Sequence, residues 1–190
     1  MAIVLASQSP RRQELLARIG VEDFKTLSLD IDESYPEALS PEDTVRYIAK
    51  KKCDAAAALC APDDLIITAD TMVFWGNDRL GKPRDEEDAL RMLRALSGRA
   101  HTVCTGVSVR RGAQEERFAV STRVFFRPMT DDEIRAYIKT GEPMDKAGAY
   151  GVQSRGALFV ERIDGDFFNV MGLPVEQLGL VLARFGVKLL

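Results

Sequence analysis

Leu5-Ala-Ser-Gln-Ser-Pro-Arg-Arg-Gln-Glu-Leu-Leu16 breaks an apolar run into small polar residues and restarts as a helix with two arginines in its first turn. Ser9 reads as the N-cap and Pro10 as the first helical residue, while Leu15, Leu16 and Ile19 recur at the spacing of a buried stripe. Arg11 and Arg12 then face the positive end of the helix dipole, which costs about 0.3–1 kcal/mol per charge unless an anion sits between them. Unspent backbone N–H groups at Ser7, Gln8 and Ser9, with two guanidinium forks, would suit a polyphosphate. A basic turn solvated by water is the alternative.

Outward from this turn, strand-like runs fall at residues 2–5, 26–31, 65–69, 71–75, 101–109, 118–126 and 157–163. Helices alternate with them. Ser40-Pro41-Glu42-Asp43 opens one, Asp85 and Gly98 bracket a second, and Thr130-Asp-Asp-Glu133 is a capping box for a third that stops at Gly141. A last helix spans about Val175 to Arg184 and ends near Gly186. The chain is therefore mixed α/β, and without repeats or a long linker its 190 residues are expected to form a single domain, 1–190. A net charge of −3 gives no global reason to bind nucleic acid or an anionic membrane. No run has the apolar length of a signal peptide or membrane span, and Cys53, Cys60 and Cys104 lack a Cys-x-x-Cys pattern, so a reducing cytoplasm is the expected home.

Several positions carry chemistry. On the helix after Ser40, Val45, Ile48, Ala49, Ala56 and Leu59 share a face with Lys52 in its middle, so the ammonium must snorkel out or meet a buried negative partner. Leu65-Ile-Ile-Thr-Ala-Asp70 delivers a carboxylate at the expected carboxyl end of a strand, where open α/β sheets bind ligands. A hairpin through Gly76-Asn77-Asp78 would return Lys82 toward it; a turn acid and a surface lysine are the alternative. Asp32 and Glu33 follow the 26–31 run, either as Mg²⁺ or Mn²⁺ ligands or as an acidic turn. Asp85-Glu86-Glu87-Asp88 is better explained as carboxylates complementing a helix N-terminus. His101 is the only histidine, which excludes His-rich zinc sites and leaves a Ser-His-Asp triad unsupported; a structural role is expected. P-loop and Gly-x-Gly-x-x-Gly motifs are absent.

In order along nearly the whole chain, Leu5-Ala-Ser-Gln-Ser-Pro-Arg-Arg12, Ala69-Asp70-Thr71, Gly81-Lys82-Pro83, Leu96-Ser-Gly98 with His101, Glu142-Pro-Met-Asp-Lys-Ala-Gly-Ala-Tyr-Gly151 and Val170-Met-Gly-Leu-Pro174 resemble the Maf family of nucleotide pyrophosphatases. The resemblance implies an inosine-triphosphatase-like α/β fold, a long mixed sheet flanked by helices with the site in a cleft between two lobes. It implies hydrolysis of a nucleoside triphosphate to the monophosphate and pyrophosphate with a divalent cation, Mg²⁺ or Mn²⁺. On matching positions Asp70 takes the role of catalytic base, Ser7, Arg12, Lys52 and Lys82 line the phosphate path with Arg11 beside them, and Glu33 with Asp70 falls on the metal side.

The block ending in Gln153 looks like the subgroup acting on dTTP and UTP, with Arg11, Thr71 and Gln153 as its base-selecting positions. A Gln amide can accept from N3–H and donate to O4 of a uracil or thymine, whereas a carboxylate only accepts. Thr68 and Cys53 depart from the family's more common glycine and alanine. The resemblance further suggests a homodimer. Two other functions stay open: a nucleotide-binding regulator of septum formation that does not turn its ligand over, and a house-cleaning pyrophosphatase for ITP or XTP.

Overall fold

The computed structural model describes residues 1–76 and 78–190, and its helices at Pro41, Glu86 and Asp131 each begin at a side-chain cap. The chain divides into two compact units, one made of Met1–Asp70, Thr105–Val120 and Gly172–Leu190, the other of Thr71–Cys104 and Ser121–Met171.

In the first unit, β1 (Ile3–Leu5) leads through the Ser7–Ser9 loop into α1 (Pro10–Arg18), followed by β2 (Phe24–Thr26) and α2 (Pro41–Ala57). Strand β3 (Leu65–Trp75) begins here and continues into the second unit. β1 pairs in parallel with both neighbours, Ile3↔Phe24 through Leu5↔Thr26 on one side and Ile3↔Leu65 through Leu5↔Ile67 on the other. Ser40 caps α2 by accepting from the Asp43 N–H at 3.1 Å. Leu5, Leu15, Leu16, Ile48, Leu65 and Ile67 are fully buried.

The 26–31 run is not a strand. β2 ends at Thr26 because β1 offers it only three partners, and after Leu27 donates its N–H to Leu5 O the chain leaves the ladder. Leu27 and Leu29 alternate because both pack on Ala6, Cys53, Ala56 and Ile66. Leu59 also departs from expectation: α2 ends at Ala57, and Leu59 lies beyond it, exposed.

In the second unit β3 turns back as β4 (Asp78–Leu80), with Val73 opposite Leu80 and Trp75 opposite Asp78. The expected hairpin is present, though Asn77 in its turn lies outside the described residues. α3 (Glu86–Leu96) follows, with Asp85 accepting from Asp88 N–H and Asp88 held by Arg84 and Arg91; the acidic run is a helix N-terminus. Two long strands, β5 (Ala100–Arg111) and β6 (Gln114–Phe126), each have residues in both units, and α4 (Asp131–Ile138) starts at the full Thr130/Glu133 capping box. β7 (Val160–Asp164) pairs with β6, then come the short α5 (Phe167–Met171) and, back in the first unit, α6 (Val175–Arg184). The expected 157–163 strand is shortened, since residues 155–159 form a 3-10 turn that buries Phe159. Among the described residues the sheet has seven strands in the order β2-β1-β3-β5-β6-β7, with β4 paired to β3.

His101 is buried in the second unit, its Nε2 hydrogen-bonded to the Tyr150 hydroxyl at 2.8 Å and its ring edge-on to Phe126 and Tyr150. Burial pulls its pKa down to about 4.

Two contacts set α2 against the sheet of the first unit. Gly106 of β5 lies so close that a Cβ there would stand 2.3 Å from the Val45 carbonyl carbon, and the buried Thr68 hydroxyl of β3 donates to Ala49 O at 2.7 Å. Gly106→Ala is expected to lower unfolding free energy by about 3 kcal/mol, read from the urea midpoint, because backbone rather than a flexible side chain must move. His101 predicts an acid-sensitive stability. Between pH 6.5 and 4 the unfolded imidazole binds a proton that the folded one refuses, so stability is complete above 6.5 and falls with pH; between pH 7.5 and pH 5 the loss attributable to His101 is about 2 kcal/mol, and His101→Gln should abolish it.

Candidate active site

Lys52 sits on the inward face of α2, and its ammonium does not escape to solvent. Nζ donates to Asp70 Oδ1 at 2.7 Å and lies 2.9 Å from Glu33 Oε1. The Lys52 and Asp70 side chains are 14% and 10% exposed, so their attraction is little screened, whereas Glu33 is more than half exposed. Of the two fates open to a lysine on this stripe, the buried partner is the one realised.

Asp70 is not at a strand end, because β3 runs unbroken from Leu65 to Trp75. The expected position corresponds instead to the end of a ladder. β1 leaves β3 after Ala6 N–H donates to Ile67 O, and β4 joins it only at Val73, so residues 68–72 are paired to neither. Arg12 supplies the missing donor: Nη1 donates to Ala69 O at 2.9 Å, Nε to Gly172 O at 2.8 Å, and Nη1 reaches Ser7 Oγ at 3.4 Å. One guanidinium thus ties together the β1–α1 loop, the residue before Asp70 and the segment before α6. Desolvation pulls the Arg12 pKa below the ordinary arginine range; the Asp70 and Glu33 charges oppose this and Arg11 adds to it. The group stays charged.

The first turn of α1 differs from expectation in one respect. Ser9 occupies the cap position but its side chain caps nothing, while Ser7 N–H donates to Leu5 O and Ser9 N–H to Ser7 Oγ. The turn is closed on itself. What it offers an anion is the helix dipole and side chains rather than the Ser7 and Ser9 amides.

Ser7, Arg11, Arg12, Glu33, Lys52 and Asp70 all belong to the first unit, and each of them interacts directly or electrostatically with another of the set. Thr71, Lys82 and Gln153 belong to the second unit. Lys82 is exposed two residues beyond β4, and Gln153 is exposed in the loop between 3-10 turns at 147–149 and 155–159. Gly148 N–H donates to Gly81 O at 3.0 Å, so the segments bearing these two residues are joined.

Among the described residues no three His, Cys, Asp or Glu side chains are grouped to hold a metal ion. Two carboxylates nevertheless share one cation, the Lys52 ammonium. That donor set fits a Mg²⁺ or Mn²⁺ ion that takes its remaining oxygens from water and substrate phosphates. Thr68 stood out in the sequence only as a departure from the family's more common glycine; its bond to α2 two residues before Asp70 makes it a support of the ion pair.

The sequence profile of the family described as Maf-like protein matches residues 2–185. The chain is 47% identical over 186 residues to a dTTP/UTP pyrophosphatase of Bacillus velezensis, covering 98% of this chain and 97% of that protein. It is also 47% identical over 177 residues to the protein of the same name from Bacteroides fragilis, 93% and 92% covered. Among solved structures, Ham1 proteins of Coxiella burnetii and Staphylococcus aureus superpose with TM-scores of 0.55 and 0.54 over 97% of this chain and 99% and 100% of theirs. At 15% and 14% identity they speak for the fold alone, and it is the inosine-triphosphatase-like fold that the sequence resemblance implied. With ordered motifs, fold and a nearly full-length profile in agreement, the chain belongs to the Maf family.

Proposed function

We propose that this chain is a nucleoside triphosphate pyrophosphatase that hydrolyses dTTP and UTP to the monophosphate and pyrophosphate. The observation that carries the reading is the cluster of Lys52 between Asp70 and Glu33 with Arg12 beside it, in a family whose relatives bear that activity in their names.

Lys52 holds Asp70 through Oδ1, and Oδ2 is the oxygen that takes the proton of the attacking water. The water oxygen bonds to the α-phosphorus as the bond to the bridging oxygen breaks, and pyrophosphate leaves with its charge met by fixed cations. Arg12, pinned by two backbone carbonyls, is oriented before substrate arrives, as is Lys52. Ser7 and Lys82 extend the phosphate path. Arg11, Thr71 and Gln153 select the base. A divalent cation on Glu33 and Asp70, when bound, acidifies water and offsets phosphate charge. We place the enzyme in the cytoplasm as a homodimer; among the described residues no disulfide joins its cysteines, and no described helix is long and apolar enough to cross a membrane.

Pyrophosphate release from a panel of nucleoside triphosphates, with Mg²⁺ or Mn²⁺, tests this. dTTP and UTP should be the best substrates, and Asp70→Asn should lower kcat by about 10²- to 10⁴-fold, the usual worth of a general base. Wild-type turnover by that variant removes Asp70 as the base. Tight binding without pyrophosphate release identifies a regulator instead, and preference for ITP or XTP a purine house-cleaner. Arg12→Lys should raise KM and lower unfolding free energy by about 2 kcal/mol, because one ammonium cannot serve the Ala69 and Gly172 carbonyls as the guanidinium fork does; an unchanged urea midpoint would remove the tether.

A further inference from the structure

Gln153 is exposed on a loop without regular structure, and an amide that reads a base through two hydrogen bonds must be held in place before the base arrives. The bonds that hold this loop converge on one carboxylate. Glu142 Oε1 accepts from Ser154 Oγ at 2.6 Å, from the Tyr137 hydroxyl at 2.7 Å and from Gly156 N–H at 3.2 Å, and Oε2 accepts from Arg155 N–H at 3.3 Å. The Tyr137 oxygen in turn accepts from Gly151 N–H at 3.1 Å. The loop is therefore gripped two residues before Gln153 and one, two and three residues after it.

The backbone is shaped to allow this. A Cβ on Gly156 would stand 2.6 Å from Gly151 O and 2.8 Å from the Tyr137 hydroxyl oxygen, so the two ends of the loop cross almost in contact. The loop is entered through Gly148 and Ala149 at φ values of +69° and +60°, the second uncommon for a residue with a side chain. Burial, and then the Glu142 carboxylate, push the Tyr137 phenol up, so it remains a donor across the physiological range.

We infer that Glu142 and Tyr137 are positioning residues for nucleotide discrimination: they fix the 151–156 loop so that the Gln153 amide is presented to the base. The inference rests on the reading of Gln153 as a base-selecting residue. Neither side chain is assigned to the phosphates or to the attacking water. Their removal should therefore alter the choice between nucleotides, whereas a purely structural role would depress all substrates alike.

The test measures kcat and KM for dTTP, UTP and GTP with the full chain carrying Glu142→Ala, Glu142→Gln, Tyr137→Phe or Gln153→Ala, and with Glu142→Ala combined with Gln153→Ala. Glu142→Ala and Tyr137→Phe should each lower the dTTP:GTP ratio of kcat/KM by about ten-fold, mainly through KM for dTTP. Glu142→Gln, which keeps an acceptor oxygen toward Tyr137, Ser154 and Gly156, should restore most of the ratio. The double variant should lose no more selectivity than Gln153→Ala, because both act through one amide. A fall that is equal for all three nucleotides overturns the proposal. So does an unchanged ratio in Tyr137→Phe, the conservative variant that decides the matter should Glu142→Ala not fold, while Gln153→Ala still collapses it. An unchanged ratio in Gln153→Ala overturns the base-selecting role itself, and the positioning role with it, and so marks a different failure.

Discussion

An ammonium on the buried face of a helix is costly unless a negative charge meets it, and Lys52 meets Asp70. The same pairing answers the reciprocal problem of a carboxylate in the middle of an apolar strand. Each group makes the other tolerable, and the geometry of both is set by the depth of α2 on the sheet. Gly106 permits that depth and the Thr68 hydroxyl fixes it. Glu33 completes the cluster from an irregular segment, anchored upstream by Leu27 and Leu29 in the apolar pocket under α2.

Arg12 meets a second requirement with the same economy. Where β1 leaves β3, a strand carbonyl loses its ladder partner, and a buried unpaired carbonyl costs free energy. The guanidinium satisfies Ala69 O and Gly172 O and keeps its charge. Structural hydrogen bonds thereby fix the orientation of the guanidinium, whose side-chain entropy is already given up in the folded protein. Arg12, Lys52 and Asp70 of the first unit are thus held by regular elements, whereas Gln153 in the second unit rides on a loop stiffened by the acceptors of Glu142 and Tyr137.

What was legible in the chain followed from local chemistry. Ser40, Asp85 and the Thr130/Glu133 box set helix starts because capping is decided within four residues. Asp70, Lys52, Arg12 and Glu33 were named from charge placed against pattern and from family motifs. Misplaced elements had non-local causes: β2 is short because its partner is, the 157–163 run yields to a turn that buries Phe159, and Asp70 lies within β3 because the continuation of that strand depends on partners distant in sequence.

The sequence by itself determined the α/β class, the starts of the capped helices, the charged residues available and the family. Only the tertiary structure decided that Lys52 is paired rather than solvated, that Arg12 answers the Ala69 and Gly172 carbonyls, and that Glu142 collects the loop around Gln153. The physical reason is range. Caps and periodicity act over a few residues, whereas the partner of a buried charge or an orphaned carbonyl is chosen by packing between segments 18 to 160 residues apart.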